Sequence, residues 1–361
     1  MKKTYLMLMV LLACCGYSYS WNATAHEVIA QIAWDNMTPT TKQSVAKLLS
    51  VPINYPGNAN LSVQTSSFQA SSLWVLGIDS MSWQSGSQKA FYASLHTLNM
   101  NTLLSQNTSP STLSRNYGNA YMSSNGDNLA YAIESAEKVL SSQTTISNSN
   151  KAIALRYLIH LVGDITQPFN VSNPFINSQN TQNGTKILLQ TPVMLTGVDT
   201  KQDSNLYALW NDAGGAVFYM SDSTALADSP LYTAQIAQSA QNIESQYSSD
   251  SRANYLISLA DVKSWAVQTN SLAVTALLNG GKIPTYNFQN GDTSGKIVIY
   301  NDKNYTQFVE NSSKQQIYVA GMRLANVLNA IYDPTRASST YTGYIARDVV
   351  ANGNITNIYQ F

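Results

Sequence analysis

The chain contains little cysteine, histidine or charge, and each shortage narrows what it can do. Among its 361 residues there are two cysteines, Cys14 and Cys15, and three histidines. Both cysteines lie in the first 20 residues, so cleavage of that segment would leave neither disulfide bonds nor thiolate chemistry. Charged residues make up 11% of the chain, against about 25% in an average domain. A protein that holds long nucleic acid by its phosphates needs a strong positive surface, which this composition does not provide.

The N-terminus has the pattern of a secretory signal peptide, residues 1–20. Two lysines form a positive start, residues 6–13 are continuously apolar, and Ser18 and Ser20 are small residues suited to cleavage before Trp21. The apolar run is too short to span a membrane, and no later stretch reaches about 18 apolar residues. We therefore expect a secreted or periplasmic protein without a transmembrane segment.

A lipoprotein signal is the alternative interpretation of the same segment. Residues 11–14 also fit a lipoprotein cleavage box, which would leave Cys14 as a lipidated N-terminus and Trp21 seven residues inside the chain. Cleavage before Trp21 instead leaves 18 basic and 20 acidic residues, a net charge of −2. Polarity then comes mainly from Ser, Thr, Asn, Gln and 22 tyrosines, which suits a small or locally held substrate better than a tightly held polymer.

Helical periodicity dominates the chain and predicts a mainly α, single-domain helical bundle over residues 21–361. Apolar residues recur at helical spacing in these segments: 26–37, 39–49, 71–78, 128–140, 152–165, 206–220, 261–278 and 316–332. A polar loop is expected at residues 52–66. One or two short β-hairpins are expected, where residues 185–189 precede 191–195 and around residues 296–300.

His160 and Asp164 are the pair around which a metal site is expected. They stand four apart in an apolar helical run, so a helix places both side chains on one face, one turn apart. Pro168 ends that helix, which puts the pair within about a turn of its C-terminus. Taken alone, the pair fits a polar helix face as well as a metal site. His26 and His96, taken singly, each fit a structural histidine better than a ligand.

Five segments occur in a characteristic order: Trp21 with His26 five positions on, HLVGDITQPF from His160, NLYALWN at residues 205–211, residues 265–273 and residues 319–329. Together they resemble the zinc-dependent nuclease S1/P1 family, which shares its fold with the bacterial zinc phospholipases C. The last three segments stand beside the family's NLHxxWD motif, its WAxES helix and its closing helix. The tryptophan-to-histidine spacing resembles the nucleases more than the phospholipases, where this gap is longer. The likeness extends from Trp21 to about residue 332.

The resemblance implies a helical cleft that binds three zinc ions, and this chain fills the ligand positions unevenly. One zinc would be held by the Trp21 amine and carbonyl, His26 and Asp164. A close partner would be held by His96, His160 and Asp164, so that Asp164 bridges the two ions.

The remaining ligand positions of the family are changed in this chain. The fourth ligand of the second zinc falls at Leu76, and Asp79, one helical turn further, is a candidate substitute. The third, remote zinc would be bound at Asn170, Tyr207 and Asn211. Neutral amides and a phenol with a pKa of about 10 are poor zinc ligands. We therefore expect two zinc ions rather than three.

Positions that contact substrate in the family are also changed. The arginine that stabilises the family's transition state aligns with Asp79, which reverses the charge. The aromatic residue that stacks on a base aligns with Thr97, and the carboxylate that grips the edge of the base aligns with Asn99.

The resemblance implies hydrolysis of phosphodiester or 3′-phosphomonoester bonds of single-stranded nucleic acid or nucleotides through a zinc-bound hydroxide. Asp164 would act in this reaction as the bridging ligand of the hydroxide-holding pair. The alternative is a catalytically impaired family member that acts as a metal-stabilised binding protein. A weaker alternative is a phospholipase C-like phosphodiesterase.

Overall fold

Helices form most of the described structure, which confirms the predicted mainly α fold. The computed structural model describes residues 20–55, 58–63, 67–79, 91–103, 110–123, 127–142, 146–176, 179–197, 199–220, 229–278, 297–299 and 301–335. Within these ranges, no helix has both the length and the apolar character that crossing a membrane requires.

The helices follow the predicted periodicity in most of the chain. They are α1 (Ala23–Asn36), α2 (Pro39–Leu49), α3 (Phe68–Ser71), α4 (Trp74–Asp79), α5 (Pro110–Ser123), α6 (Leu129–Ser141), α7 (Asn148–Asp164), α8 (Pro168–Val171), α9 (Leu206–Asn211), α10 (Pro230–Tyr247), α11 (Ser251–Ile257), α12 (Val262–Leu277) and α13 (Lys303–Tyr332). Residues 91–94 are also helical, and a short 3-10 turn, Ala213–Gly215, follows α9.

Three small sheets lie among the helices. Their strands are β1 (Ile53–Tyr55), β2 (Asn58–Val63), β3 (Met100–Leu103), β4 (Ser172–Ile176), β5 (Gln179–Asn180), β6 (Ile187–Thr196), β7 (Thr200–Asn205) and β8 (Ile297–Ile299). Strands β1 and β2 form an antiparallel hairpin. Strand β4 pairs in parallel with β3 and antiparallel with β5, and β6 pairs antiparallel with β7 and in parallel with β8.

Two predictions about β structure are wrong. The expected polar loop at residues 52–66 contains the β1–β2 hairpin, because backbone pairing such as that between Ile53 and Val63 does not need an apolar pattern. Residues 185–189 and 191–195, expected as the two arms of a hairpin, instead belong largely to one continuous strand, β6. Its register shifts between Leu188 and Val193, and such an irregularity accommodates a proline that cannot donate to the ladder.

One helix is much shorter than the sequence predicts. The expected helix at 206–220 ends at Asn211, and Ala213, Gly214 and Gly215 all have positive φ angles. Positive φ is left-handed backbone, which is incompatible with continuing a right-handed helix. Conversely, α10 escaped prediction because its buried residues form a narrow stripe: Tyr232, Ile236, Ala240, Ile243 and Tyr247.

The helices that carry the predicted ligands lie at the centre of the protein. In α1, nine of 14 residues are buried, and in α7 twelve of 17 are buried, as expected of helices covered on nearly all sides. Each has a polar N-cap, Asn22 for α1 and Ser147 for α7. Helix α7 ends at Asp164, and Pro168 occupies the first turn of α8 rather than the last turn of α7.

Candidate metal centre

Three histidines and one aspartate from distant parts of the chain meet at the end of α7. His26 comes from α1, His96 follows the helical residues 91–94, and His160 and Asp164 lie one turn apart on α7. All four side chains are fully buried. The Asp164 carboxylate lies 2.7 Å from His96 Nδ1, 3.3 Å from His26 Nε2 and 3.4 Å from His160 Nε2. The sequence-predicted histidines therefore share one carboxylate.

The imidazole rings are packed closely around that carboxylate. The rings of His26 and His160 stack with centroids 3.9 Å apart and planes 13° from parallel. His96 meets His160 edge-on, with centroids 5.0 Å apart. His160 Nδ1 lies 2.6 Å from the carbonyl oxygen of Ser72. Because a carbonyl only accepts, we assign the proton to Nδ1, which directs the lone pair of Nε2 towards Asp164, as in metal-ligating histidines.

The protonation states in the cluster suit a metal ligand set. Burial lowers the pKa of His160 well below its usual value, so this imidazole is neutral near pH 7. Burial alone would raise the pKa of Asp164, but the neighbouring His160 and His96, with hydrogen bonds from His26 and His96, hold it below its ordinary range. A neutral imidazole and an ionised carboxylate are the forms that bind metal ions.

The spacing of the ligand atoms fits a tetrahedral ion. Ligand atoms of His26, His160 and Asp164 all lie within 4.8 Å of one another. In a tetrahedral site with metal–ligand distances of about 2.0–2.1 Å, neighbouring ligand atoms are about 3.3–3.4 Å apart. Asp164 Oδ1 lies 3.3 Å from His26 Nε2 and Asp164 Oδ2 lies 3.4 Å from His160 Nε2, so each oxygen has one ligand pair at this spacing. His96 lies closer to Asp164 and extends the cluster on one side.

The segment around the predicted cleavage point lies directly at this cluster. The hydroxyl of Ser20 forms hydrogen bonds to His26 Nε2 and to Asp164 Oδ1, so it lies between two of the predicted ligands. Trp21 is fully buried, and its indole N–H lies 3.1 Å from both the carbonyl oxygen of Gly163 and the hydroxyl of Thr166. Cleavage before Trp21 would remove the hydroxyl and leave a free amine beside the same ligands.

A polar contact that the sequence did not predict fixes the chain next to Trp21. The backbone N–H of Asn22 donates to the carbonyl of Asn211 at 2.8 Å, and its side-chain amide donates to Asp212 at 3.2 Å. The ammonium of Lys201 forms an ion pair with the other oxygen of Asp212. No motif marks Lys201 or Asp212. The signal available in the sequence is that both are charged residues in a chain with few charges.

The three positions of the remote zinc contain neither histidine nor carboxylate, and two of them contact each other. The Tyr207 hydroxyl donates to Asn170 Oδ1 at 3.2 Å, and Asn170 is fully buried. Asn211 is also buried, and its carbonyl oxygen accepts the hydrogen bond from the backbone N–H of Asn22. A phenol and an amide thus form a hydrogen bond where the family has zinc ligands.

The substrate positions form a polar network of their own. Asn99 has a φ of 53°, and its amide donates to the Thr97 hydroxyl at 3.1 Å. Its carbonyl oxygen accepts from Asn183 at 2.8 Å. Asp79 is the last residue of α4, but its side chain lies outside the described residues. Within the described part, no second carboxylate joins Asp164 in the cluster.

The fold and this cluster define a helical protein with a candidate metal centre at the end of a central helix. The family model described as S1/P1 Nuclease matches residues 21–333, and the chain belongs to this family of zinc-dependent nucleases. A comparison with curated proteins finds no match to the chain. Membership supports a general nuclease-like function, that of hydrolases acting on phosphodiester bonds.

Gly163 offers a direct test of how tightly His26 is held. A Cβ at Gly163 would lie 2.9 Å from both Cε1 and Nδ1 of the His26 ring, closer than real Cβ contacts, so the ring would have to shift. We expect Gly163→Ala to weaken zinc binding by about 10- to 100-fold, as changes that misorient a ligand do. Competition with a chromophoric chelator measures this affinity.

Gly118→Ala is the matched control for that substitution. Gly118 lies in α5 and has no atom within 4 Å of the added Cβ. This change should leave zinc affinity unaltered and raise the melting temperature slightly, because alanine favours helix by up to about 1 kcal/mol over glycine. Equal zinc affinities for the two variants would contradict the assigned position of His26.

Proposed function

We propose that this protein is a secreted zinc-dependent phosphoesterase that hydrolyses phosphodiester or 3′-phosphomonoester bonds of single-stranded nucleic acid or nucleotides. The observation that carries the proposal is the convergence of His26, His96 and His160 on the buried Asp164 carboxylate. Membership of the S1/P1 nuclease family supports the reaction class. The signal pattern of residues 1–20 supports secretion.

The proposed centre holds two zinc ions that share Asp164. The Trp21 amine and carbonyl with His26 form one ligand group, and His96 with His160 form the other. The fit is supported by the neutral form of His160, by its Nε2 lone pair facing Asp164, and by the 3.3 and 3.4 Å ligand separations. Zinc bound here would lower the pKa of water from about 15.7 towards about 7 and so provide a nucleophile at neutral pH.

The protein's own residues have separable roles in this scheme. Asp164 holds the two halves of the centre at a fixed separation, because each of its oxygens faces a different histidine. The Ser72 carbonyl keeps His160 in its ligating tautomer. Gly163 allows His26 to approach α7 closely. The burial of all these groups excludes bulk water from the carboxylate, which strengthens its interactions with cations.

The proposed centre does not include a third, remote zinc ion. Its positions are Asn170, Tyr207 and Asn211, and the Tyr207–Asn170 hydrogen bond satisfies the phenol without a metal. In the family that ion and an arginine would contact the substrate phosphate. Each such contact is worth about 2–4 kcal/mol in the transition state, so loss of both would slow hydrolysis by roughly three to six orders of magnitude unless other groups compensate.

The same hydrogen bond favours a second candidate function, a metal-stabilised binding protein without hydrolysis. Both functions need the Asp164 cluster, because buried ligands can serve stability alone. They differ in turnover. Two zinc ions per chain with chelator-sensitive phosphate release from a nucleotide or single strand support the enzyme. Two zinc ions without turnover support the binding protein.

His96→Ala tests the proposed pair of ions. We expect the zinc content of the mature protein to fall from about two to about one per chain, and hydrolysis to fall at least about a hundredfold, because one half of the centre is lost. Asn99→Ala is the control, since this residue contacts Thr97 and Asn183 but not Asp164. Its zinc content should stay at two. An unchanged zinc content in His96→Ala would remove His96 from the site.

The exact start of the mature chain tests whether the Trp21 amine is a zinc ligand. Intact-mass measurement of the secreted protein should show Trp21 as its first residue, whereas a lipidated Cys14 would give a heavier species. A chain that begins with one extra methionine before Trp21 should bind one of its zinc ions at least about tenfold more weakly, because the amine becomes an amide. Equal zinc affinities for the two chains would exclude the amine as a ligand.

Restoring the lost ligands tests the absence of the third ion. The triple variant Asn170→His, Tyr207→His and Asn211→Asp supplies zinc-ligating groups at three buried or half-buried positions, two of them one turn apart on α9. We expect its zinc content to rise from about two to about three per chain, measured by atomic emission. Three zinc ions in the unaltered protein would contradict the proposal.

A further inference from the structure

A groove of mixed polar and apolar character lies between α5, α11 and α12, apart from the metal cluster. It has a cavity volume of about 400 Å³, which is within the range of about 300–1,000 Å³ found for small-ligand sites. Along α12 it runs from Lys263 to Thr275, a rise of about 18 Å along the helix. None of its lining residues belongs to the cluster around Asp164.

The groove combines positive charge with an exposed aromatic ring. Arg252 and Lys263 line it, and neither forms an ion pair within the described residues. Tyr255 lies in the same lining and is 63% exposed. Ser264 and Ser271 add hydroxyl groups along one side. Cations, hydroxyl groups and an exposed ring are the groups that contact the phosphates and bases of single strands.

A buried arginine lies beneath this groove. Arg323 of α13 is 1% exposed, and its Nη2 donates to the Leu256 carbonyl at 2.9 Å and to Gln268 Oε1 at 3.4 Å. Gln268 is itself part of the groove lining. The Nε and Nη1 atoms of Arg323 have no hydrogen-bond partner among the described residues. The ring of Trp265 lies 5.2 Å from the guanidinium carbon.

The charge of that arginine is not neutralised within the described structure. Burial lowers the pKa of Arg323 to about 9, and no carboxylate of the described residues offsets this lowering. The side chain therefore remains charged at neutral pH, in a low-dielectric position where its field is weakly screened. A buried cation without a carboxylate is costly, and an anion in the groove above Gln268 would reduce that cost.

Two carboxylates near the groove do not cancel this field. Asp250 accepts the backbone N–H of Ala253 at the start of α11, and Asp261 accepts that of Ser264 at the start of α12. Each carboxylate is thus used as a helix cap, where it compensates the positive end of the helix dipole. Two cations thus line the groove and a third, Arg323, lies buried beneath it.

We propose that the groove formed by Arg252, Tyr255 and Lys263 above the buried Arg323 is an accessory binding site for a single-stranded nucleic-acid segment. Phosphates lie against Arg252 and Lys263, and a base stacks on Tyr255. The choice of nucleic acid as the ligand rests on the proposed function. The site holds a substrate strand at a distance from the cluster and supplies part of the grip that the changed positions around Asp164 no longer give.

Binding of a labelled oligonucleotide to the zinc-loaded mature protein tests the site. The probe is a phosphorothioate oligothymidylate, which resists hydrolysis, and fluorescence anisotropy gives its affinity at several salt concentrations. Arg252→Ala/Lys263→Ala should weaken binding at least tenfold at low salt. The slope of log affinity against log salt should fall by about 1.4, because each phosphate contact to a single strand contributes about 0.7.

Two further variants separate stacking and general charge from the proposed contacts. Tyr255→Ala should weaken binding about tenfold without changing the salt slope, and Tyr255→Phe should restore it, because the ring rather than the hydroxyl stacks on the base. Lys47→Ala/Lys303→Ala removes the same charge from exposed lysines on α2 and α13. This control should keep the affinity and salt slope of the unaltered protein within a factor of about two.

Equal affinities and slopes for Arg252→Ala/Lys263→Ala and the lysine control would overturn the proposal, as would an unaltered protein that does not bind the probe. Because the probe is not hydrolysed, its binding does not depend on turnover. Failure of the metal centre would appear as absent zinc or absent hydrolysis with probe binding intact. Failure of the groove would appear as binding that the three substituted residues do not affect.

Discussion

A carboxylate buried at the C-terminal end of a helix is the constraint on which the rest of this structure depends. Asp164 ends α7 and is fully excluded from water, where both the helix dipole and burial oppose its negative charge. Three imidazoles surround it, and they come from α1, from α7 and from the segment after residues 91–94. Central helices and a distant segment are therefore arranged around one charge, which suits a metal cation better than hydrogen bonds alone.

Smaller features of the structure support that arrangement of ligands. The Ser72 carbonyl sets the tautomer of His160, and the absence of a side chain at Gly163 leaves room for the ring of His26. The hydrogen bond from Asn22 to Asp212 fixes the start of α1, and Ser20 and Trp21 lie at the ligands. The structure is asymmetric as a result: the half of the centre near α1 and α7 is closely supported, whereas the remote positions have become a hydrogen-bonded pair.

The sequence predicted what local spacing can encode. The four-residue spacing of His160 and Asp164 predicted a shared helix face, and apolar periodicity predicted most of the helices. That His26 and His96 approach Asp164 could not follow from spacing, because both are far away along the chain, and it was expected only from the family resemblance. The Ser72 carbonyl and the Lys201–Asp212 pair were missed because backbone acceptors and isolated charges leave no pattern. The two halves of β6 were predicted as β structure, but their union into one strand was not, because a proline marks a turn and a strand irregularity equally well.

Anomalous X-ray scattering at the zinc edge, from crystals of the mature zinc-loaded protein, tests the account most directly. Two peaks are expected, one on each side of the Asp164 carboxylate. One should lie at the Trp21 amine and His26, and the other at His96 and His160. No peak is expected between Asn170 and Tyr207. A map without a peak at Asp164, or with a third ion at the remote positions, would contradict the account.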